Sequence, residues 1–208
     1  TVFFVDFSPG RSYSALMRVL LVNPWITDFA AFDLWAKPLG LLTAGAFLAA
    51  RGHEVRLVDC THRFQGVHGY IGDERRLFGT GKFLREPIPR PDCLSNVRRL
   101  WCRYGIPVGF FDDLVSTGPR PDIVLVTCVM TYWYPGAFDA IARIRMLLPG
   151  VPVALGGIYA RLHTSHAREK SGADTVITEA LPSRIVDAVE SLAGACGDGA
   201  VPGDAFAR

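Results

Sequence analysis

Five short apolar runs, each followed by a stretch with helical spacing, constrain this chain more than any other feature. They are RVLLVN (18–23), HEVRLVDC (53–60), DIVLVTC (122–128), VPVALGG (151–157) and ADTVIT (173–178). Apolar character that is continuous rather than alternating marks a strand covered on both faces. A helix is expected over 38–51, with Pro38 suited to a first turn and Gly52 to the left-handed residue after the last. Phe138, Ile141 and Ile144 recur at helical steps, giving the buried face of a helix over 136–148 that stops at Pro149-Gly150. Another helix starts near Thr164 or Ser165, both suitable N-caps, and a closing one spans 182–192. Strands alternating with helices in crossover order predict the α/β class and a doubly wound, five-stranded parallel sheet.

With 208 residues, half of them apolar, the chain can build one domain with a sizeable core, with or without an insertion. A formal charge of +2 sets up no field that would drive it onto nucleic acid or a membrane. The five cysteines (Cys60, Cys93, Cys102, Cys128, Cys196) contain no CxxC pair, which argues against a disulfide framework, a zinc site or an iron–sulfur cluster held by this chain alone. A reducing cytoplasm is the expected setting. The apolar run 39–50 is too short for a bilayer. Residues 1–16 lack the pattern of a signal peptide and read as an extension or a cloning remnant ahead of Met17. The domain is expected over 17–194, and the Gly-, Ala- and Pro-rich 195–208 reads as a linker or tail.

One stretch exceeds the minimal plan. Between the second and third core strands, 61–121 is far longer than one helix requires, and its middle carries more Lys and Arg than Asp and Glu. Within it LSNVRRLWCRYG (94–105) reads as a short amphipathic helix ended by Gly105. A solvated excursion and a lid or docking surface are both consistent with the sequence. Length favours a purpose, because long structureless insertions are uncommon in compact domains.

Several common ligand sites are excluded by sequence. A dinucleotide fold needs GxGxxG after the first strand, where this chain has NPWITDF. The Gly-Lys of RRLFGTGKF lacks the first glycine and the hydroxyl of a P-loop. A phosphoacceptor domain needs an aspartate where Thr127 and Cys128 stand, and no GxSxG elbow is present. Cys128, late in a buried strand, reads as a packing residue rather than a nucleophile. His53 is expected at a solvated turn, His62 and His68 lie in the loop after the second strand, and the HxxH pair His163/His166 is weak evidence for a metal.

Two strands end unusually: VTCVMTYWYPG (126–136) finishes in a hydroxyl, a thiol and aromatics, and VALGGIYA (153–160) in paired glycines. In doubly wound sheets ligands sit outside the carboxyl ends of the strands, where both features fall. The glycines are consistent with a tight turn or with close approach of a ligand, and the aromatics with packing on the insertion or with ligand lining.

These residues resemble the cobalamin (B12)-binding domain found at the N-terminus of many radical S-adenosylmethionine (SAM) proteins. The likeness rests on Thr127-Cys128-Val129 ending the third strand, Gly156-Gly157 ending the fourth, and Gly172-Ala173-Asp174 leading through the fifth to Thr178-Glu179. FDLWAKPLGLL, VDC, GTGKFLREPIP, RRLWCRYGIP, TYWYPG and LGGIYA resemble phrases of the radical SAM subset, and the likeness covers 17–194. It implies a flavodoxin-like, Rossmann-type B12-binding fold of strand order 2-1-3-4-5. It further implies that Gly156 and Gly157 clear a path for the cofactor's nucleotide tail and that Thr127 and Thr131 offer it hydroxyls. Trp25, Tyr132, Trp133, Tyr134 and Tyr159 would flank the corrin ring, with Val129, Thr178 and Glu179 as further contacts.

Two departures qualify what the resemblance implies. The DxHxxG motif that supplies a histidine to cobalt is absent, so cobalamin is expected without a histidine ligand from this chain. The CxxxCxxC signature of a radical SAM core is absent too, so the 4Fe–4S cluster and S-adenosylmethionine would belong to a core outside this sequence. That core is the expected partner, docking through the basic insertion at Arg98 and Arg99. The domain itself is expected to catalyse nothing, while its parent would be a radical SAM enzyme, a methyltransferase among the options. A degenerate scaffold that binds no cofactor is the alternative, and a site for a nucleotide-like ligand is a third reading.

Overall fold

The computed structural model describes residues 16–33, 37–62 and 81–197, with side chains as far as 192. Residues 1–15 of the expected extension (1–16), residues 34–36, part of the insertion (63–80) and the tail from 198 lie outside the described residues.

The first strand, β1 (Arg18–Asn23), leads through Pro24 and Trp25 into two short strands, β2 (Ile26–Asp28) and β3 (Phe32–Asp33). Helix α1 (Leu39–Ala50) returns the chain to β4 (Glu54–Asp59). The insertion contributes β5 (Gly81–Lys82), β6 (Arg85–Pro87), β7 (Cys102–Tyr104) and α2 (Val108–Ser116). The rest alternates as β8 (Ile123–Thr127), α3 (Tyr134–Leu147), β9 (Val153–Gly156), α4 (Ile158–Leu162), α5 (Thr164–Lys170), β10 (Thr175–Val176) and α6 (Pro182–Gly197).

The five core strands pair in parallel in the order β4-β1-β8-β9-β10, which is the doubly wound, flavodoxin-like order 2-1-3-4-5. Alternation of side chains along each strand fills two cores. Val19, Leu21, Ile123, Leu125 and Ala154 face α1 and α6, and Leu20, Val22, Val124, Val126, Val153 and Leu155 face the helices opposite. Burial on both sides explains why the central strands β1, β8 and β9 read as nearly unbroken apolar runs.

At the amino edge of the sheet, charge fastens the strand mouths. Arg18 pairs with Asp122 at 3.1 Å, and Arg145 with Asp174 at 2.7 Å. Arg51, closing α1, reaches Asp187 and Glu190 of α6 at 3.0 and 2.7 Å. His53, expected to be solvated, is instead buried between Met17 and Glu190. The Met17 amide can only donate, so His53 Nδ1 accepts and Nε2–H donates to Glu190.

The insertion departs from expectation. The segment read as an amphipathic helix starts at the end of a 3-10 turn (Asp92–Leu94) and holds the strand β7 instead. β7 pairs antiparallel with both β2 and β6 in a three-stranded accessory sheet, while β3 pairs with β5. Burial of Cys102 and Tyr104 on either side of the half-buried Arg103 is the period of a strand, and partners on both edges hold it there. Arg103 fastens this sheet to the body, bridging Glu86 and Asp139 at 3.4 and 3.2 Å, with its guanidinium 5.2 Å over the Trp25 ring. The final helix also runs through Gly197, past the boundary expected near 194.

Candidate functional site

A slot of about 170 Å³ opens beside the carboxyl ends of β8, β9 and β10, between the sheet and helices α1 and α6. Thr127 and the pair Gly156-Gly157 line its sheet side, Gly40, Leu41 and Ala44 line its α1 side, and Ile177, Glu179 and Arg161 complete it. Small residues create the space. A Cβ at Gly40 would meet nothing within 4 Å, and one at Gly156 would touch only Ile177, at 3.9 Å.

The two adjacent glycines differ in kind. Gly157 has φ +98°, and a Cβ there would lie 2.5 Å from the Cys128 carbonyl oxygen and 2.8 Å from Thr127 Oγ1. Its side chain is excluded by the end of β8 itself. Gly156, by contrast, is free to accept a methyl group and borders open volume.

Thr127 is buried at the base of the slot. The next residue, Cys128, is locked by its amide to the Gly156 carbonyl and by its thiol to the Met130 carbonyl. Burial pushes that thiol up to about 12, so it stays protonated at neutral pH and offers no thiolate nucleophile.

A second, smaller pocket of about 60 Å³ occupies the crevice between β1 and β8. Val129 and Trp25 line it, together with Asn23, Thr61 and Trp133. Phe32 and Phe83, brought in by the accessory strands, also line this crevice, where doubly wound sheets often bind ligands. Asn23 and Thr61 belong to a buried polar knot in which both donate to Asp59 Oδ1, at 2.7 and 2.8 Å.

Of the residues chosen from sequence, Thr127, Gly156, Gly157 and Glu179 converge on the slot. Thr131 and the exposed Tyr132 sit in a 3-10 turn after β8, and Thr178 is exposed and does not line the slot. Trp25 and Tyr159, expected to flank a bound ring, are core side chains here, each 1 % exposed. Trp25 donates through Nε1 to the Ile106 carbonyl at 2.7 Å and packs on Phe111. Tyr159 stacks on Tyr134, and its hydroxyl meets His166 Nδ1 at 2.5 Å. Burial, with Cys128 and Tyr134 nearby, raises the Tyr159 hydroxyl to about 12. The HxxH pair is thus engaged with this ring cluster, since His163 also stacks on Tyr159. Among the described residues no group of three or more His, Cys, Asp or Glu is placed to hold a metal ion.

Sequence reasoning missed the helix wall of the slot. Gly40 and Ala44 were the available signal, since small residues four apart share one helix face. It also missed a rim of exposed apolar side chains at this edge: Leu39 at the start of α1, Met130 and Tyr132 after β8, Ile158 and Leu162 after β9, and Leu181 after β10. Single exposed apolar residues need no explanation, and these lie along the edge where the slot opens.

No protein-family model matches the chain, and no curated protein sequence matches it. Among solved structures it is similar to the receiver domain of sensor histidine kinase PA1611 from Pseudomonas aeruginosa PAO1, crystallised with magnesium. That likeness has 14 % identity and a TM-score of 0.45, over 86 % of this chain and 99 % of that one. It is also similar to NtrX from Brucella abortus in complex with ADP, at 11 % identity and a TM-score of 0.47, over 89 % of this chain and 29 % of that one. No function is carried over from these likenesses. The strand β8 ends in Thr127 and is followed by Cys128. No helix among the described residues is long and apolar enough to cross a membrane.

Proposed function

We propose that this chain is a cobalamin-carrying domain that presents its cofactor to a radical SAM core elsewhere in the parent protein. The observation that carries this reading is the slot, on which Thr127, Gly156, Gly157 and Glu179 converge. A cavity of roughly 150 Å³ with aliphatic walls accepts a benzene-sized guest. At about 170 Å³ the slot suits one planar ring and excludes a macrocycle. That fits a cofactor with a narrow tail and a broad ring. Thr127, Gly156 and Gly157 would hold the tail, while Val129, Thr131 and the exposed Tyr132 and Met130 would border the ring. When bound, the cofactor supplies a cobalt centre able to carry a methyl group. The chain's own part is to bind and orient it and to leave one face open to the partner.

The partner would dock on the basic insertion, where Arg98 and Arg99 are exposed. Reversing both charges should weaken association with a reconstituted core, and unchanged association would remove that role from them.

A scaffold that binds no cofactor is favoured by a different observation: Trp25 and Tyr159 serve the core, and accessory residues line the crevice beside β1. Incubation with hydroxocobalamin, desalting and a visible spectrum separates the two readings. Retained corrin absorbance supports the carrier, and a colourless protein supports the scaffold. Cobinamide, which lacks the nucleotide tail, should be retained less than cobalamin. Gly40→Leu should erase that difference, because its side chain would occupy space the fold leaves empty.

A further inference from the structure

Two charged side chains line the slot, and the fold uses neither. Arg161, on α4, and Glu179, after β10, both border it and are both exposed. They form no ion pair with each other. The arginines that reach carboxylates among the described residues are Arg18, Arg51, Arg103, Arg143 and Arg145. Arg161 stands apart from that group, at the mouth of a pocket otherwise built mainly from glycine, alanine and aliphatic side chains.

A guanidinium presents a planar fork of donors that matches phosphate or carboxylate and stays charged at every physiological pH. Placed against a ring-sized apolar slot, it supplies what a ring alone does not need, a partner for an anion. The carboxylate of Glu179 is an acceptor on the same lining, suited to an N–H or hydroxyl of the same guest. We propose that the slot selects a planar heteroaromatic ring bearing an anionic group, with Arg161 holding the anion. The proposal rests on the slot being a ring-binding site, and it is independent of which larger molecule carries the ring. The tail of a cobalamin and a free nucleotide share this chemistry.

Calorimetric titration of the full chain with adenosine and with its 5′-monophosphate, at fixed ionic strength, tests the idea. The monophosphate should bind at least about tenfold more tightly, the scale of one hydrogen bond to a charged partner. Arg161→Ala should abolish that preference, and Arg161→Lys should keep part of it. Glu179→Gln should preserve the preference. Equal affinity for the two probes, absence of binding by both, or a preference that survives Arg161→Ala would overturn the proposal. Parallel loading with hydroxocobalamin keeps the two readings apart. A colourless protein with an intact, Arg161-dependent preference defeats only the carrier reading. Retained cobalamin with no phosphate preference defeats only the anion site.

Discussion

At the amino edge of the sheet, strand mouths are held by charge: Arg18 with Asp122, Arg145 with Asp174, and the Arg51–His53–Glu190 knot between α1 and α6. At the carboxyl edge the same strands finish in glycine, small residues and exposed apolar side chains, beside a slot walled by Gly40, Ala44 and Gly156. One edge pairs its charged side chains with one another. The other keeps volume and apolar area unspent. The contrast teaches where this fold leaves room: the amino end ties its strands together with ion pairs, while the carboxyl end keeps open volume.

The sharpest way to break this comparison is to place a side chain at Gly157. Gly157→Val should destabilise by about 3 kcal/mol or more, since it combines a left-handed backbone with a collision against Cys128, and urea unfolding would read it. Gly156→Ala, one residue away, should change stability by less than about 1 kcal/mol. Equal effects would mean that the slot is not the open volume described. Next in size, Glu190→Ala should cost about 2 kcal/mol, because it strips the buried His53 of its partner. A negligible shift in thermal melting would show that the amino edge is not fastened there.

A separate effect appears only in alkali. Cys128 titrates at about 12 in the fold against a reference of 9.0, so the fold retains a proton that the unfolded chain releases. Its contribution is complete below pH 9 and is lost as pH rises towards 12, by roughly 1.4 kcal/mol for each unit in between. Tyr159, raised in the same way, steepens the same limb. Cys128→Ala should therefore flatten the fall in stability above pH 9, and an unchanged slope would contradict burial of the thiol. The smallest effect belongs to the apolar rim. Leu162→Gln should leave urea stability within about 0.5 kcal/mol of the parent, because its side chain is already exposed. If stability falls well beyond that, the rim is structural.

The core was legible because its signal is local and repeated. Five apolar runs and the stops at Gly52 and Pro149-Gly150 were enough to give the parallel, doubly wound class, while the strand order rested on the resemblance. The accessory sheets were not legible, because strands of two or three residues carry no period of their own. Val97, Trp101 and Tyr104 fall at helical spacing, and only pairing with distant β2 and β6 turns that segment into a strand. The same distance hid the burial of Trp25, whose cover comes from Arg103, Ile106 and Phe111. In the candidate site, the paired glycines pointed to the slot. Their roles divide by backbone angle and by the proximity of Cys128, which a string of letters does not carry.

The accessory sheet takes β2 from the stretch that follows β1 and β6 and β7 from well beyond β4, so it is braided from two parts of the chain. It is therefore not a cassette. Cutting out the later part would strand β2 without a neighbour and bare the Trp25 indole, so grafting this feature onto a related sheet would require transplanting both threads together.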